Sequence, residues 1–244
     1  KEELLKESIL ADFNNYAKIY EEEKDIKEKI YKSCRDITKL SKKMIFSLHR
    51  YEEGNHEKVK TAVIKDFKSI QEHLEKIKGC FKEKGDEWKY YYSFPQEEWV
   101  EGISFLFFLN SFFERMYAIK LLPTILKECN IPEENISNGK ILSYNDVLEL
   151  SKPFEISYEA YVLGILDTMG EIMRYCISQC TTTRTAPTEE GIQKIKKQLE
   201  KCQFIVEFSQ VLYNALQAAF MKPLMSSKAS DKTLKSAKFK LKVF

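Results

Sequence analysis

Two pairs of acidic residues have the spacing of a cation site built from two helices. Glu98 and Glu101 stand three residues apart at the start of a segment that becomes almost wholly apolar downstream. Projected on a helix, both carboxylates continue the face that carries Phe105 and Phe112. Like charges at this spacing repel each other, and carboxylates that approach a core need a cation or a proton. This pair therefore predicts one half of a metal site.

The second pair, Asp167 and Glu171, lies one helical turn apart on a face that also carries the small residues Ala160 and Gly164. Small side chains allow another helix or a ligand to approach closely. Helical bundles build divalent-ion sites from acids on facing helices. Because neither motif contains a histidine, oxygen ligation favours Mg²⁺, or Mn²⁺, over zinc. Such a site can activate water for attack on a phosphoryl group. Acidic pairs also occur on solvated helix faces, and this alternative stays open.

A basic ribbon is predicted along one face of the first helix. Its members share about one third of the helix circumference. They are Lys32, Arg35, Lys39, Lys42, Lys43, His49 and Arg50. A continuous positive ribbon can follow a phosphate backbone, whereas a solvated face is the alternative. The aromatic cluster at residues 88–94 could stack nucleic-acid bases, although packing in the core or between subunits is the favoured interpretation.

The composition is that of a globular protein. The chain has 244 residues, with 43% hydrophobic and 31% charged residues, and 39 basic against 37 acidic side chains. The resulting net charge of +2 does not by itself indicate nucleic-acid binding. We expect no transmembrane helix, no membrane partner and no secretory signal. The six cysteines form no Cys-x-x-Cys motif, so we expect reduced thiols.

Hydrophobic periodicity predicts an all-α protein, a single domain over 1–244 formed by a bundle of about six or seven long helices. The helices are predicted over 1–53, 56–82, 95–122, 143–150, 158–180 and 189–221. Pro95 is expected at a first helical position and Ser157 at an N-cap. A loop is expected over 129–140, and a short helix or weakly ordered tail over 225–244.

Three blocks of the sequence resemble signatures of the translin family, in particular its translin-associated factor X branch. They cover residues 34–50, 98–105 and 161–176, in the expected order. The resemblance implies an all-helical fold and assembly with translin into a closed hetero-oligomer, an octameric barrel that encloses RNA or single-stranded DNA. No residues are carried over after residue 180, where the resemblance fades.

The same resemblance implies a Mg²⁺-dependent endoribonuclease subunit that acts on single-stranded or nicked RNA. The expected roles are passenger-strand removal in RNA silencing and tRNA fragment processing. The family's acidic quartet matches Glu98, Glu101, Asp167 and Glu171, as catalytic residues and metal ligands. Localisation is expected to be cytoplasmic, nuclear or both. The alternatives are a non-catalytic single-stranded RNA- or DNA-binding or scaffolding subunit, and a helical interaction protein without a nucleic-acid role.

Overall fold

Every regular secondary-structure element that the structure describes is a helix. A computed structural model of the chain describes residues 2–51, 54–84, 93–118, 120–133, 136, 142–181, and 189, 193, 196–197, 199–201, 203–207, 210–211 and 214. The helices are α1 (Glu2–His49), α2 (His56–Lys84), α3 (Ser93–Tyr117), α4 (Leu122–Glu128), α5 (Tyr144–Ser151) and α6 (Tyr158–Thr181). The described residues between 189 and 214, here the C-terminal segment, are also helical. The predicted all-α fold is confirmed.

The helix α3 lies at the centre of the hydrophobic core. It packs against α1 on one side and α6 on the other, while α2 packs along α1. Residues 102–110 of α3 are all buried, as expected of a helix that is apolar on every face. Phe204 of the C-terminal segment lies 5.6 Å from Phe112 between ring centres, so this segment also covers α3. Among the described residues, no helix is long and apolar enough to cross a membrane.

The boundaries of α3 differ from the sequence prediction. The helix begins at Ser93, so the assignment of Pro95 as its first residue is wrong. Pro95 lies within the first turn instead, where backbone N–H groups lack helical partners. The helix was expected to end near Leu122 but ends at Tyr117. The next residue, Ala118, adopts a left-handed φ of 55°.

The helix α4 is a separate short element that the sequence prediction did not contain. The N–H groups at its start donate hydrogen bonds to a side chain of another helix, and its N-cap residue makes no side-chain capping bond. The Oδ1 atom of Asn110, on α3, accepts hydrogen bonds from the N–H groups of Leu121 and Leu122 at 2.9 and 2.8 Å. A tertiary contact therefore fixes the start of this helix.

The starts of α5 and α6 are well defined. Ser143 and Asp146 form a reciprocal capping box at the start of α5. Ser157 caps α6, because its Oγ accepts a hydrogen bond from the Ala160 N–H at 3.1 Å, as predicted. Residues 88–92 of the predicted aromatic cluster and the predicted tail at 225–244 lie outside the described residues.

A close crossing of α3 and α6 brings the two acidic segments together. A Cβ atom added to Gly164 would lie 2.6 Å from Val100 Cβ and 2.7 Å from the Glu97 carbonyl oxygen. The Thr168 hydroxyl, one turn further along α6, donates to the Glu101 carbonyl oxygen at 3.3 Å. The glycine therefore permits the approach that places the acids of α6 beside those of α3.

Candidate active site

The four predicted acidic residues form one electrostatic cluster at the α3–α6 crossing. Glu101 lies at its centre. Burial, together with the charges of Asp167, Glu98 and Glu171, raises the pKa of Glu101 to about 8. A carboxyl group so placed keeps a proton at neutral pH unless a cation compensates its charge. The structure thus brings together the two pairs that lie far apart in the sequence.

Glu98 lies at the edge of this cluster and contacts α1. Its Oε1 is 2.9 Å from the Nζ of Lys42, and its side chain is 25% exposed against 62% for the lysine. The hydrogen bond and charge of Glu98 raise the pKa of Lys42, and the charge of Glu101 adds to the effect. The lysine therefore supplies part of the positive charge that the acids need.

Glu171 is the least exposed residue of the four acids. Its side chain is 12% exposed. His49 Nε2 donates to its Oε2 at 2.6 Å. Arg174 Nη1 lies 2.8 Å from both carboxylate oxygens. Burial alone would raise the pKa of Glu171, but the His49 hydrogen bond and the Arg174 charge together lower it. Both oxygens of this carboxylate are therefore engaged by side chains of the protein.

His49 is a site residue that sequence reasoning did not place at the acids. The sequence predicts His49 in the basic ribbon of α1, and neither acidic motif contains a histidine. Its ring lies 4.7 Å from Phe105 and 6.2 Å from Tyr175 between centres, which holds it against Glu171. A signal was present, because His49 follows Lys42 by two helical turns on one face. It could be used only once α1 was known to lie against α3.

The donor chemistry of the cluster fits a hard divalent cation. All four side chains offer carboxylate oxygens, and the partly buried Glu101 lies among three like charges. Within the described part of the chain, however, no three His, Cys, Asp or Glu side chains are arranged to hold one ion. Glu98 and Glu171 contact Lys42, His49 and Arg174 instead. A cation bound by all four acids would have to displace these contacts.

The predicted basic ribbon is exposed along α1. Lys32, Arg35, Lys39, Lys42, Lys43 and Arg50 all lie on the surface. Lys42 joins the acidic cluster, and Lys43 pairs at 2.7 Å with the buried Asp66 of α2. The Arg50 guanidinium lies 4.0 Å from the centre of the Phe46 ring. The ribbon therefore runs along the surface and passes the acids at Lys42.

The fold and the site define an all-helical bundle protein with an acidic cluster at a helix crossing and a basic ribbon beside it. The chain belongs to the Translin family, whose model matches residues 25–240. This confirms the resemblance drawn from the three sequence blocks.

One known relative of this chain is a translin-associated protein X homolog, which agrees with the branch that the sequence blocks resemble. The translin-associated protein X homolog of Schizosaccharomyces pombe is 27% identical over 175 residues, which cover 68% of this chain. The match covers 61% of that relative, so this chain spans about three fifths of its length.

Two solved structures share the fold. One is AfC3PO in complex with duplex RNA, which is 19% identical, with 94% of this chain and 91% of that chain covered at a TM-score of 0.53. The other is AfC3PO itself, which is 18% identical over the same shares at a TM-score of 0.54.

Proposed function

We propose that this chain is a Mg²⁺-dependent endoribonuclease subunit that works with a translin-like partner. The observation that carries the proposal is the cluster of Glu98, Glu101, Asp167 and Glu171 at the α3–α6 crossing, where the partly buried Glu101 lies among the charges of the other three acids. Membership of the Translin family, the similarity to a translin-associated protein X homolog and the duplex RNA bound by AfC3PO support it.

In this proposal the four acids hold Mg²⁺, or Mn²⁺ in its place. When bound, the ion would supply Lewis acidity toward a phosphoryl oxygen and would lower the pKa of a water molecule. Glu101 holds a proton on its carboxyl group below a pH of about 8 and releases it when a divalent cation binds. His49 orients Glu171 through the Oε2 atom. The basic ribbon of α1 holds the phosphate backbone.

The proposed substrate is single-stranded or nicked RNA, with single-stranded DNA as a further ligand. The proposed assembly is a hetero-oligomer with translin, an octameric barrel, in the cytoplasm or nucleus. Passenger-strand removal in RNA silencing and processing of tRNA fragments are the proposed roles. These follow from the resemblance to the translin-associated factor X branch.

The test is RNA cleavage by the chain co-expressed with a translin-like partner, with and without EDTA. We expect EDTA to abolish cleavage. Glu101→Gln and Glu171→Gln should also abolish it while the assembly elutes unchanged in size-exclusion chromatography. Glu159→Gln, at an exposed acid of α6, is the matched control and should cleave normally. Undiminished cleavage by both site variants would refute the proposed active site.

A non-catalytic RNA-binding subunit is the second candidate function. It is favoured by the contacts of Glu171, whose two oxygens are engaged by His49 and Arg174. This candidate predicts that RNA binds with a strong dependence on salt and is not cleaved with Mg²⁺ present. The same assay separates the two functions, because only the nuclease responds to EDTA.

A further inference from the structure

The N-terminal part of α1 carries a row of exposed apolar side chains, here called the apolar seam. Its members Ile9, Phe13, Tyr16 and Tyr20 are 46%, 69%, 69% and 68% exposed. On an ideal helix they lie within about 60° of arc. Within the described residues, the first buried side chain of α1 is Ile30. This part of α1 therefore extends beyond the core that the other helices share.

The seam has the spacing of a coiled-coil interface. Its residues follow one another at steps of four, three and four, which is the a/d repeat of paired helices. Leu10 and Ile19, which border the seam, are also exposed, at 63% and 42%. A contiguous apolar surface of this kind marks an interaction site, and a helix without packing partners is only marginally stable in water.

The residues that continue the repeat at each end are oppositely charged. Lys6 precedes Ile9 by three residues, and Glu23 follows Tyr20 by three. In an antiparallel pair of identical helices, Phe13 of one copy meets Tyr16 of the other, and Ile9 meets Tyr20. The same register brings Lys6 of each copy against Glu23 of the other.

The parallel arrangement lacks this match. In register, it places Lys6 against Lys6 and Glu23 against Glu23, and such like-charge contacts oppose association. A second copy of this chain in the antiparallel orientation supplies both an apolar row of equal length and the opposite charge at each end.

We propose that the apolar seam is a self-association surface on which a second copy of this chain docks in antiparallel orientation. The contact is independent of the proposed nuclease activity, because it uses residues 6–23 of α1 and none of the acidic cluster. It also leaves the basic ribbon, which begins at Lys32, outside the paired segment.

The test is sedimentation equilibrium of the full chain over a wide range of protein concentrations. We expect a monomer–dimer equilibrium. Phe13→Glu should weaken dimerisation by roughly a hundredfold, because it removes a central apolar contact in both halves of the seam. Lys6→Glu or Glu23→Lys alone should weaken it by roughly tenfold, since each creates two like-charge contacts. The double variant Lys6→Glu/Glu23→Lys should return to within about threefold of the parent chain.

The control is the swap Lys18→Glu/Glu22→Lys, at two exposed residues on the opposite face of the same part of α1. It should leave dimerisation unchanged, and far-UV circular dichroism should show that every variant keeps its helix content. A chain that stays monomeric at all concentrations would overturn the proposal and leave the seam to a different protein. A dimer that is indifferent to both single reversals would also overturn it.

Discussion

At the residue scale, the protonation of Glu101 links the acidic cluster to the stability of the fold. Its pKa of about 8, against an ordinary value of 4.5, means that the folded chain binds the proton more tightly than the unfolded chain. Between these two pH values the unfolded chain has lost a proton that the folded chain keeps. The stability from this group is therefore fully present at low pH and is lost as the pH rises through about 8.

Replacing Glu101 by glutamine should remove this pH dependence. In the absence of divalent cations, Glu101→Gln should be more stable than the parent chain at about pH 8, by on the order of 2 kcal/mol after allowance for partial exposure. The difference should shrink toward about pH 5. Urea unfolding at both pH values measures it, with Glu159→Gln as the control. Parallel pH profiles for the parent and Glu101→Gln would contradict the prediction.

Arg174 should compete with the proposed cation for Glu171. Its Nη1 lies 2.8 Å from both carboxylate oxygens, while its side chain is 69% exposed and can leave the site. Arg174→Met should tighten Mn²⁺ binding by about threefold to tenfold, because no guanidinium then has to be displaced. Calorimetric titration of the assembled protein with Mn²⁺ measures this change.

The matched control for that titration is Arg115→Met, at an exposed arginine that pairs with Glu207. This variant should bind Mn²⁺ as the parent does. Weaker binding by Arg174→Met would mean that the arginine supports the site rather than competing for it.

At the scale of elements, the α3–α6 crossing depends on Gly164. An added Cβ would meet the Val100 side chain and the Glu97 backbone at distances no real contact allows. Gly164→Ala should therefore destabilise the fold by about 2 kcal/mol, as the two helices move apart. Gly170→Ala, in the same helix, meets nothing within 4 Å and should stabilise by about 0.5–1 kcal/mol. Thermal or urea unfolding measures the stability of the two variants. An equal change in stability would show that the α3–α6 crossing has room for a Cβ atom at residue 164.

The helices could be predicted because their signals are local. The apolar periodicity of α1 and α2, and the caps at Ser143 and Ser157, depend only on neighbours in the sequence. The separate start of α4 could not be predicted, because its N–H groups are satisfied by Asn110 of α3. A contact between distant residues leaves no periodic signal.

The candidate site shows the same division. The four acids could be selected from their spacing on apolar helices and from the family resemblance. The contacts of His49 and Lys42 with the acids could not be predicted. The spacing of residues within α1 does not reveal which other helix the charged face of α1 contacts. The end of α3 could likewise not be predicted, because the residue with the left-handed backbone there is Ala118 and not a glycine.

At the scale of the whole molecule, α1 carries two surfaces in separate places. The apolar seam is centred near Phe13 and Tyr16, and the contacts with the acidic cluster come from Lys42 and His49. At 1.5 Å per residue, Tyr16 and Lys42 lie roughly 39 Å apart along the helix. The proposed dimerisation through the seam would therefore leave the acids and the ribbon accessible to a long ligand such as RNA.

The ribbon itself should govern how RNA affinity responds to salt. Arg35 and Lys39 are exposed members of the ribbon, on the surface that leads to Lys42 and Glu98. If both contact phosphates, Arg35→Gln/Lys39→Gln should reduce the slope of log affinity against log salt by about one to two. Fluorescence anisotropy of labelled RNA with the assembled protein, over a salt series, measures the slope.

A double variant elsewhere on the surface separates this local effect from a general loss of charge. Lys127→Gln/Lys152→Gln removes the same number of positive charges from exposed positions outside α1. Because released counterions are counted only where phosphates are neutralised, this control should keep the parent slope. Equal slopes for the two double variants would place the bound RNA away from α1. The phosphate backbone of the RNA would then not pass the Lys42–Glu98 pair. The acidic cluster would lack the contact with substrate that the nuclease proposal requires.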